Sequence, residues 1–176
     1  LKTLKLYKCP GLTEAALERL GDCAARKSLD LSWCEGLATL PARLGDCAAL
    51  TKLKLVYCTG LTALPERLGD CAALTSLDLT GSYLLTALPE RLGDCASLMS
   101  LDLSSCFTLD TLPERLVDCA ALTTLELSYC MKLTTLPERL VDCAALKTLD
   151  LSGCRGTVRH HAVVGGLEAR GCVVSY

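Results

Sequence analysis

The chain has 176 residues and a formal charge of −2, from 18 Lys plus Arg against 20 Asp plus Glu. That length suits one ordinary domain, and the missing basic surplus excludes a binder that works by neutralising nucleic-acid phosphates. Apolar residues make up 51% and aromatics only 4%, with Leu occurring 40 times, so the core is expected to be Leu with Ala and Cys filling in, and disorder is excluded.

No apolar run approaches the roughly 18 residues of a membrane span, and the opening Leu1-Lys2-Thr3 has no signal-peptide features. The missing initiator Met is expected of a fragment or a trimmed chain.

From Leu4 onward a pair Leu-x-Leu recurs, at Leu4/Leu6, Leu29/Leu31, Leu53/Leu55, Leu77/Leu79, Leu101/Leu103, Leu125/Leu127 and Leu149/Leu151. The first interval is 25 residues and the later ones are 24. A full unit, Leu50 to Ala73, reads LTKLKLVYCTGLTALPERLGDCAA, with apolar residues at unit positions 1, 4, 6, 9, 12, 15, 19 and 22. Leu at positions 4 and 6 between polar residues is period-two alternation, a short strand with one buried face. Pro at position 16 (Pro41, Pro65, Pro89, Pro113, Pro137) cannot continue a strand and suits the first residue of a short helix or 3₁₀ turn. Each unit is therefore a strand, a turn and a loose helical return, able to bury its Leu row only by stacking on its neighbours.

Unit one has an extra residue and no Pro at the corresponding point, and Gly11 to Leu20 reads as a true α-helix. Beyond Cys154 the period stops. The tail, 155–176, holds Val158, Val163, Val164, Leu167, Val173 and Val174, and reads either as a cover for the open end or as the ragged start of a further segment.

These repeats resemble the leucine-rich repeats, over Leu1 to Cys154, about six and a half units. The segment LPERLVDCAALKTLDLSGC, Leu136 to Cys154, is most similar to the Cys-containing 24-residue repeats of plant-type intracellular immune receptors. The resemblance implies an α/β solenoid, a short open arc with a parallel sheet on the concave side and short helices, 3₁₀ turns and loops on the convex side. It implies a protein-interaction module in the cytoplasm, the recognition or autoinhibitory arm of a larger chain with a nucleotide-binding switch before Leu1. The competing reading is a scaffolding or consensus-designed stack without a dedicated ligand, since the units are nearly identical.

Thirteen cysteines form two columns apart from Cys172: Cys9, Cys34, Cys58, Cys106, Cys130 and Cys154 at position 9, with Ser82 in the gap, and Cys23, Cys47, Cys71, Cys95, Cys119 and Cys143 at position 22. Both face inward in such a stack, as small core residues rather than disulfides or metal ligands, which suits a reducing compartment. His160 and His161, the two histidines, match no zinc spacing. No activated nucleophile, phosphate loop or acid–base pair is legible, so neither catalysis nor a cofactor is expected. Glu-Arg pairs at Glu66-Arg67, Glu90-Arg91, Glu114-Arg115 and Glu138-Arg139 are expected to exchange ion pairs along the convex face.

The informative face is the concave one. Position 5 carries Lys5, Asp30, Lys54, Asp78, Asp102, Glu126 and Asp150, the last four all acidic. Aromatic residues avoid the inward positions: Tyr7 is at 7, Trp33, Tyr57 and Tyr129 at 8, Tyr83 and Phe107 at 10. Exposed rings are enriched in binding hot spots. The expected partner-binding residues are thus Trp33, Tyr57 and Tyr129, in a discontinuous row, with Asp78, Asp102, Glu126 and Asp150 beside it. The expected partner is a protein or peptide with basic groups. The Leu4/Leu6 edge is expected to fray or to drive self-association.

Overall fold

The computed structural model describes residues 2–18, 25–159 and 162–176. Eight three-residue strands pair parallel in chain order: β1 (Thr3–Lys5), β2 (Ser28–Asp30), β3 (Lys52–Lys54), β4 (Ser76–Asp78), β5 (Ser100–Asp102), β6 (Thr124–Glu126), β7 (Thr148–Asp150) and β8 (Val173–Ser175). The sheet is open, with β1 and β8 at its edges. The central Leu of each internal strand points to the core and its two neighbours point away from it. Leu29, Leu53, Leu77, Leu101, Leu125 and Leu149 are at most 1% exposed, whereas Leu4 and Leu6 on the first rung are only half-buried.

Returns between internal strands are five-residue 3₁₀ helices, Ala42–Asp46, Glu66–Asp70, Glu90–Asp94, Glu114–Asp118 and Glu138–Asp142. Pro stands just before each helix rather than inside it. Pro65 is extended, at φ −70° and ψ 142°, and its carbonyl accepts from the Leu68 N–H at 3.0 Å. In unit one the α-helix α1 is one turn, Glu14–Leu17, capped by Thr13 Oγ1. That is shorter than the helix expected over Gly11 to Leu20, of which Arg19 and Leu20 lie outside the described residues, as do Cys23, His160 and His161.

The tail corrects the expectation that the pattern ends at Cys154. Two short helices, α2 (Gly156–Arg159) and α3 (Ala162–Ala169), lead into β8, which pairs with β7 in the register Leu149↔Val174. That interval is 25 residues, as in unit one. Val158 and Leu167 are fully buried, and α3 packs on the last 3₁₀ helix, Val141 seated at Gly166. Leu-x-Leu could not reveal this because Val replaces Leu and a helix replaces the Pro turn.

The convex ion pairs also differ from expectation. Arg67, Arg91 and Arg115 pair with Asp at position 21, not with Glu. Each guanidinium bridges the Asp of its own unit and that of the unit before, as in Arg67–Asp46 at 2.6 Å and Arg67–Asp70 at 3.0 Å. The Glu carboxylates instead accept backbone N–H groups of the next unit, Glu66 from Arg91 at 3.2 Å and Glu90 from Arg115 at 3.3 Å. Close stacking needs Gly at position 20. A Cβ on Gly69 would stand 2.1 Å from the Arg91 carbonyl oxygen, nearer than atoms can pack. Where that residue is Val117, among the described residues no ion pair joins the next unit's Arg139 to Asp118. Gly69→Val is therefore expected to cost about 1–3 kcal/mol through overpacking and to detach Arg91 from Asp70. An unchanged urea midpoint would contradict the close-approach account.

Candidate functional site

The core side of the stack offers little for chemistry. The position-9 thiols donate to the Leu carbonyl of the preceding unit: Cys34 to Leu6 at 3.1 Å, Cys58 to Leu31 at 3.2 Å, Cys106 to Leu79 at 3.4 Å, Cys130 to Leu103 at 3.3 Å and Cys154 to Leu127 at 2.9 Å. Ser82 keeps the chain of bonds intact, its hydroxyl donating to Leu55 at 3.3 Å. A second line runs through position 22, Cys71 to Leu44 at 3.4 Å and Cys119 to Leu92 at 3.3 Å. Among the twelve described cysteines no two are joined to each other in a disulfide, and only Cys9 is other than buried. Desolvation pushes Cys58, Cys71, Cys106 and Cys119 up to about 12 and Cys95 to about 11, and raises Cys34 and Cys130 as well. Such thiols are poor nucleophiles and poor metal ligands. Among the described residues no group of three or more His, Cys, Asp or Glu converges as a metal ion needs.

On the concave side the position-5 residues stand in one register, Lys5↔Asp30↔Lys54↔Asp78↔Asp102↔Glu126↔Asp150. Each Asp also holds its own turn. Asp78 Oδ1 accepts the Thr80 N–H at 3.2 Å and its hydroxyl at 2.8 Å, Asp102 the Ser104 N–H at 2.9 Å, and Asp150 the Ser152 N–H at 2.8 Å. Asp30 does the same for Ser32, at 3.1 Å to N–H and 2.6 Å to Oγ. One carboxylate oxygen is thereby committed to the fold. Glu126 is one methylene longer. Partial burial, then the charges of Asp150 and Asp102, raise its carboxyl above the ordinary range.

The chain then turns sharply, and position 8 is left-handed in every unit. φ is +53° at Lys8, +64° at Trp33, +55° at Tyr57, +72° at Gly81, +60° at Ser105, +60° at Tyr129 and +71° at Gly153. The N–H of the next residue closes the turn on the Leu at position 6, as from Cys58 to Leu55 at 3.3 Å. This is the third residue of a type II turn, where Gly is cheapest and a side chain costs about 1–2 kcal/mol. Gly81 and Gly153 meet that preference, while Trp33, Tyr57 and Tyr129 do not.

Those rings meet others along the rim. Trp33 and Tyr57 lie 4.4 Å apart between centroids, Tyr57 meets Tyr83 edge-on at 6.2 Å, and Tyr83 stacks on Phe107 at 4.9 Å and 10°. Lys8 Nζ lies 5.6 Å from the centre of the Trp33 ring and 5.3 Å from that of Tyr7. The line crosses from position 8 to position 10 at Gly81, because the Tyr57 ring occupies the space a Cβ there would need, 2.5 Å away. Tyr129 stands apart, its ring over Gly153 in the same way. Among the large apolar side chains, Leu84, Met131 and Tyr129 are 50%, 44% and 52% exposed.

No family model matches the chain, and no curated protein matches it. Solved structures do. A chain of the Toll–Spätzle complex of Drosophila superposes with a TM-score of 0.76 at 23% identity, over 99% of this chain and 23% of that one. A leucine-rich-repeat protein of Leptospira interrogans gives 0.53 at 22% identity, over 100% of this chain and 55% of its own. The leucine-rich-repeat ectodomain of the Arabidopsis receptor kinase HAESA, solved with an IDA peptide hormone, gives 0.54 at 23% identity, over 77% and 27%.

The chain has the leucine-rich-repeat fold.

It spans about half the length of the Leptospira protein and about a quarter of the other two. Within this leucine-rich-repeat stack, Asp78, Asp102, Glu126 and Asp150 share one column on β4–β7. Trp33 and Tyr57 touch each other, and Tyr129 is separate from them. Tyr83 and Phe107, absent from the expected binding set, complete the line of rings. Gly at position 81 was the available signal, since it removes the obstacle between positions 8 and 10. The turn-holding work of the Asp residues was legible too, in the Asp-x-Ser/Thr spacing that makes such bonds. No helix among the described residues is long and apolar enough to cross a membrane.

Proposed function

We propose that this leucine-rich-repeat chain is a protein-interaction module whose partner lies on the concave sheet and its aromatic rim, without catalysis or cofactor. The observation that carries this reading is the placement of Trp33, Tyr57 and Tyr129 in left-handed turn positions. A stack selected for stability alone would place Gly there, as at Gly81 and Gly153. Strain kept at rings that are half-buried, as at Trp33 and Tyr57, or exposed, as at Tyr129, is the mark of a surface maintained for binding. The acidic column calls for basic groups on the partner, and steers its approach more than it holds it.

Free buried thiols suit a cytoplasmic address, the Cys-bearing repeats suit a recognition arm of an immune-receptor type, and the half-buried Leu4/Leu6 rung would carry self-association. The competing reading, a scaffold without a ligand, draws on the near-identity of the units and on the Arg–Asp line of the convex face.

Stability and binding separate the two. Tyr129→Gly is expected to leave the thermal midpoint unchanged or raise it, gaining about 1 kcal/mol from turn relief against the loss of a half-exposed ring. Tyr83→Ala with Phe107→Ala is expected to cost partner capture by tenfold or more, while Arg91→Ala with Arg115→Ala keeps it. If the convex variant loses the partner and the rim variant keeps it, the binding face is misassigned.

A further inference from the structure

Charges on the concave face are not merely acidic in one column; they are segregated. The outward positions of β1–β3 carry Lys5, Lys52 and Lys54 against one acid, Asp30. Those of β4–β7 carry Asp78, Asp102, Glu126 and Asp150, with only Ser76, Ser100, Thr124 and Thr148 as their companions. The sign changes between Lys54 and Asp78, which are register partners. Alongside that boundary the Tyr57–Tyr83 contact forms the middle of the ring line. An apolar strip thus sits beside the junction of a basic and an acidic field.

We infer that the partner, on the proposed binding face, is an extended peptide segment of opposite polarity laid across the strands in one direction. Its acidic end lies over β1–β3, its apolar centre against the rings, and its basic end over β4–β7. This rests on the reading of the rim as a binding face and adds to it an order and a direction. From β1 to β7 the strand spacing gives about 29 Å, which an extended chain spans in about nine residues. A uniformly basic segment would meet Lys5, Lys52 and Lys54 at one end, and a uniformly acidic one would meet four carboxylates at the other. Only an ordered segment satisfies both halves.

Trp33 is the only tryptophan, and it belongs to the basic half, which makes it a built-in reporter of direction. The probe is a synthetic twelve-residue peptide without tryptophan, with three glutamates at one end, a leucine-phenylalanine centre and three arginines at the other. It carries a dansyl group on either end. Energy transfer from Trp33 is expected to be clearly greater to the acidic-end label than to the basic-end label. A scrambled peptide of the same composition is expected to bind about tenfold more weakly at low salt, the gap closing as salt rises. The acidic half can be neutralised without breaking its turns by Asp78→Asn, Asp102→Asn, Asp150→Asn and Glu126→Gln, because Asn keeps the oxygen that accepts the N–H. That variant is expected to lose about tenfold in affinity and the preference for one direction.

Equal transfer to both labels, or equal affinity for the scrambled peptide, would overturn the direction while leaving the rim in place. Binding untouched by Tyr83→Ser with Phe107→Ser, or no saturable binding at all, would overturn the rim reading itself. Salt-sensitive association of the chain with itself, lost in the neutralised variant, would replace the peptide by a second copy and overturn the inference.

Discussion

Raising the pH past 9 is expected to unfold the protein abruptly, with a midpoint between about pH 10 and 11. A thiol in the unfolded chain ionises from its ordinary value of 9.0, whereas Cys58, Cys71, Cys106 and Cys119 hold their protons to about 12 and Cys95 to about 11. Over that window the unfolded state binds fewer protons than the folded one, so stability falls as pH rises. It is present in full below 9 and lost towards 12. Each thiol contributes a slope of about 1.4 kcal/mol per pH unit, and five together about 7. A total stability of about 5–15 kcal/mol is then exhausted within one to two units. Trp33 fluorescence and circular dichroism followed against pH give the midpoint. Replacing two of these thiols by Ser should move it upward, and a chain still folded at pH 12 would refute the account.

Cys106→Asp is expected to cost at least about 4 kcal/mol, whereas Cys106→Ser should cost about 1 kcal/mol or less. The site is fully buried and already supplies one acceptor, the Leu79 carbonyl at 3.4 Å from the sulfur. A hydroxyl can donate to that carbonyl as the thiol does, and Ser82 does so one unit earlier, at 3.3 Å from Leu55. A carboxylate cannot donate. It must either lie unpaired in a Leu core or take up a proton, and both carry a large free-energy cost. Urea unfolding of the two variants measures the contrast. Equal losses would mean that volume rather than hydrogen bonding governs the column.

Thiol and ring thus belong to opposite sides of one design. The buried side repeats almost without change, because each rung must present the same bonds and volumes to the next. The rim varies from unit to unit, through Lys8, Trp33, Tyr57, Gly81, Ser105 and Tyr129, though the backbone there is left-handed every time. Variation on a constant frame is what a binding surface requires.

How much of this was legible in advance depends on the range of each interaction. Local periodicity determined the strands, the Pro turns, the buried Leu rows and the position-5 column, because a 24-residue repeat places equivalent residues in register. The crossing of the rings at Gly81, the Arg–Asp rather than Arg–Glu pairing and the return of the tail to β7 were decided only by stacking. Each depends on contacts between units, and so on the few positions where one unit differs from the next. A Gly in place of an aromatic residue gives room to the ring before it, Gly at position 20 lets a guanidinium reach two carboxylates, and Val141 fits Gly166 of α3. Sequence pattern sets which residues face in or out; the distance between neighbouring rungs sets which of the outward ones touch.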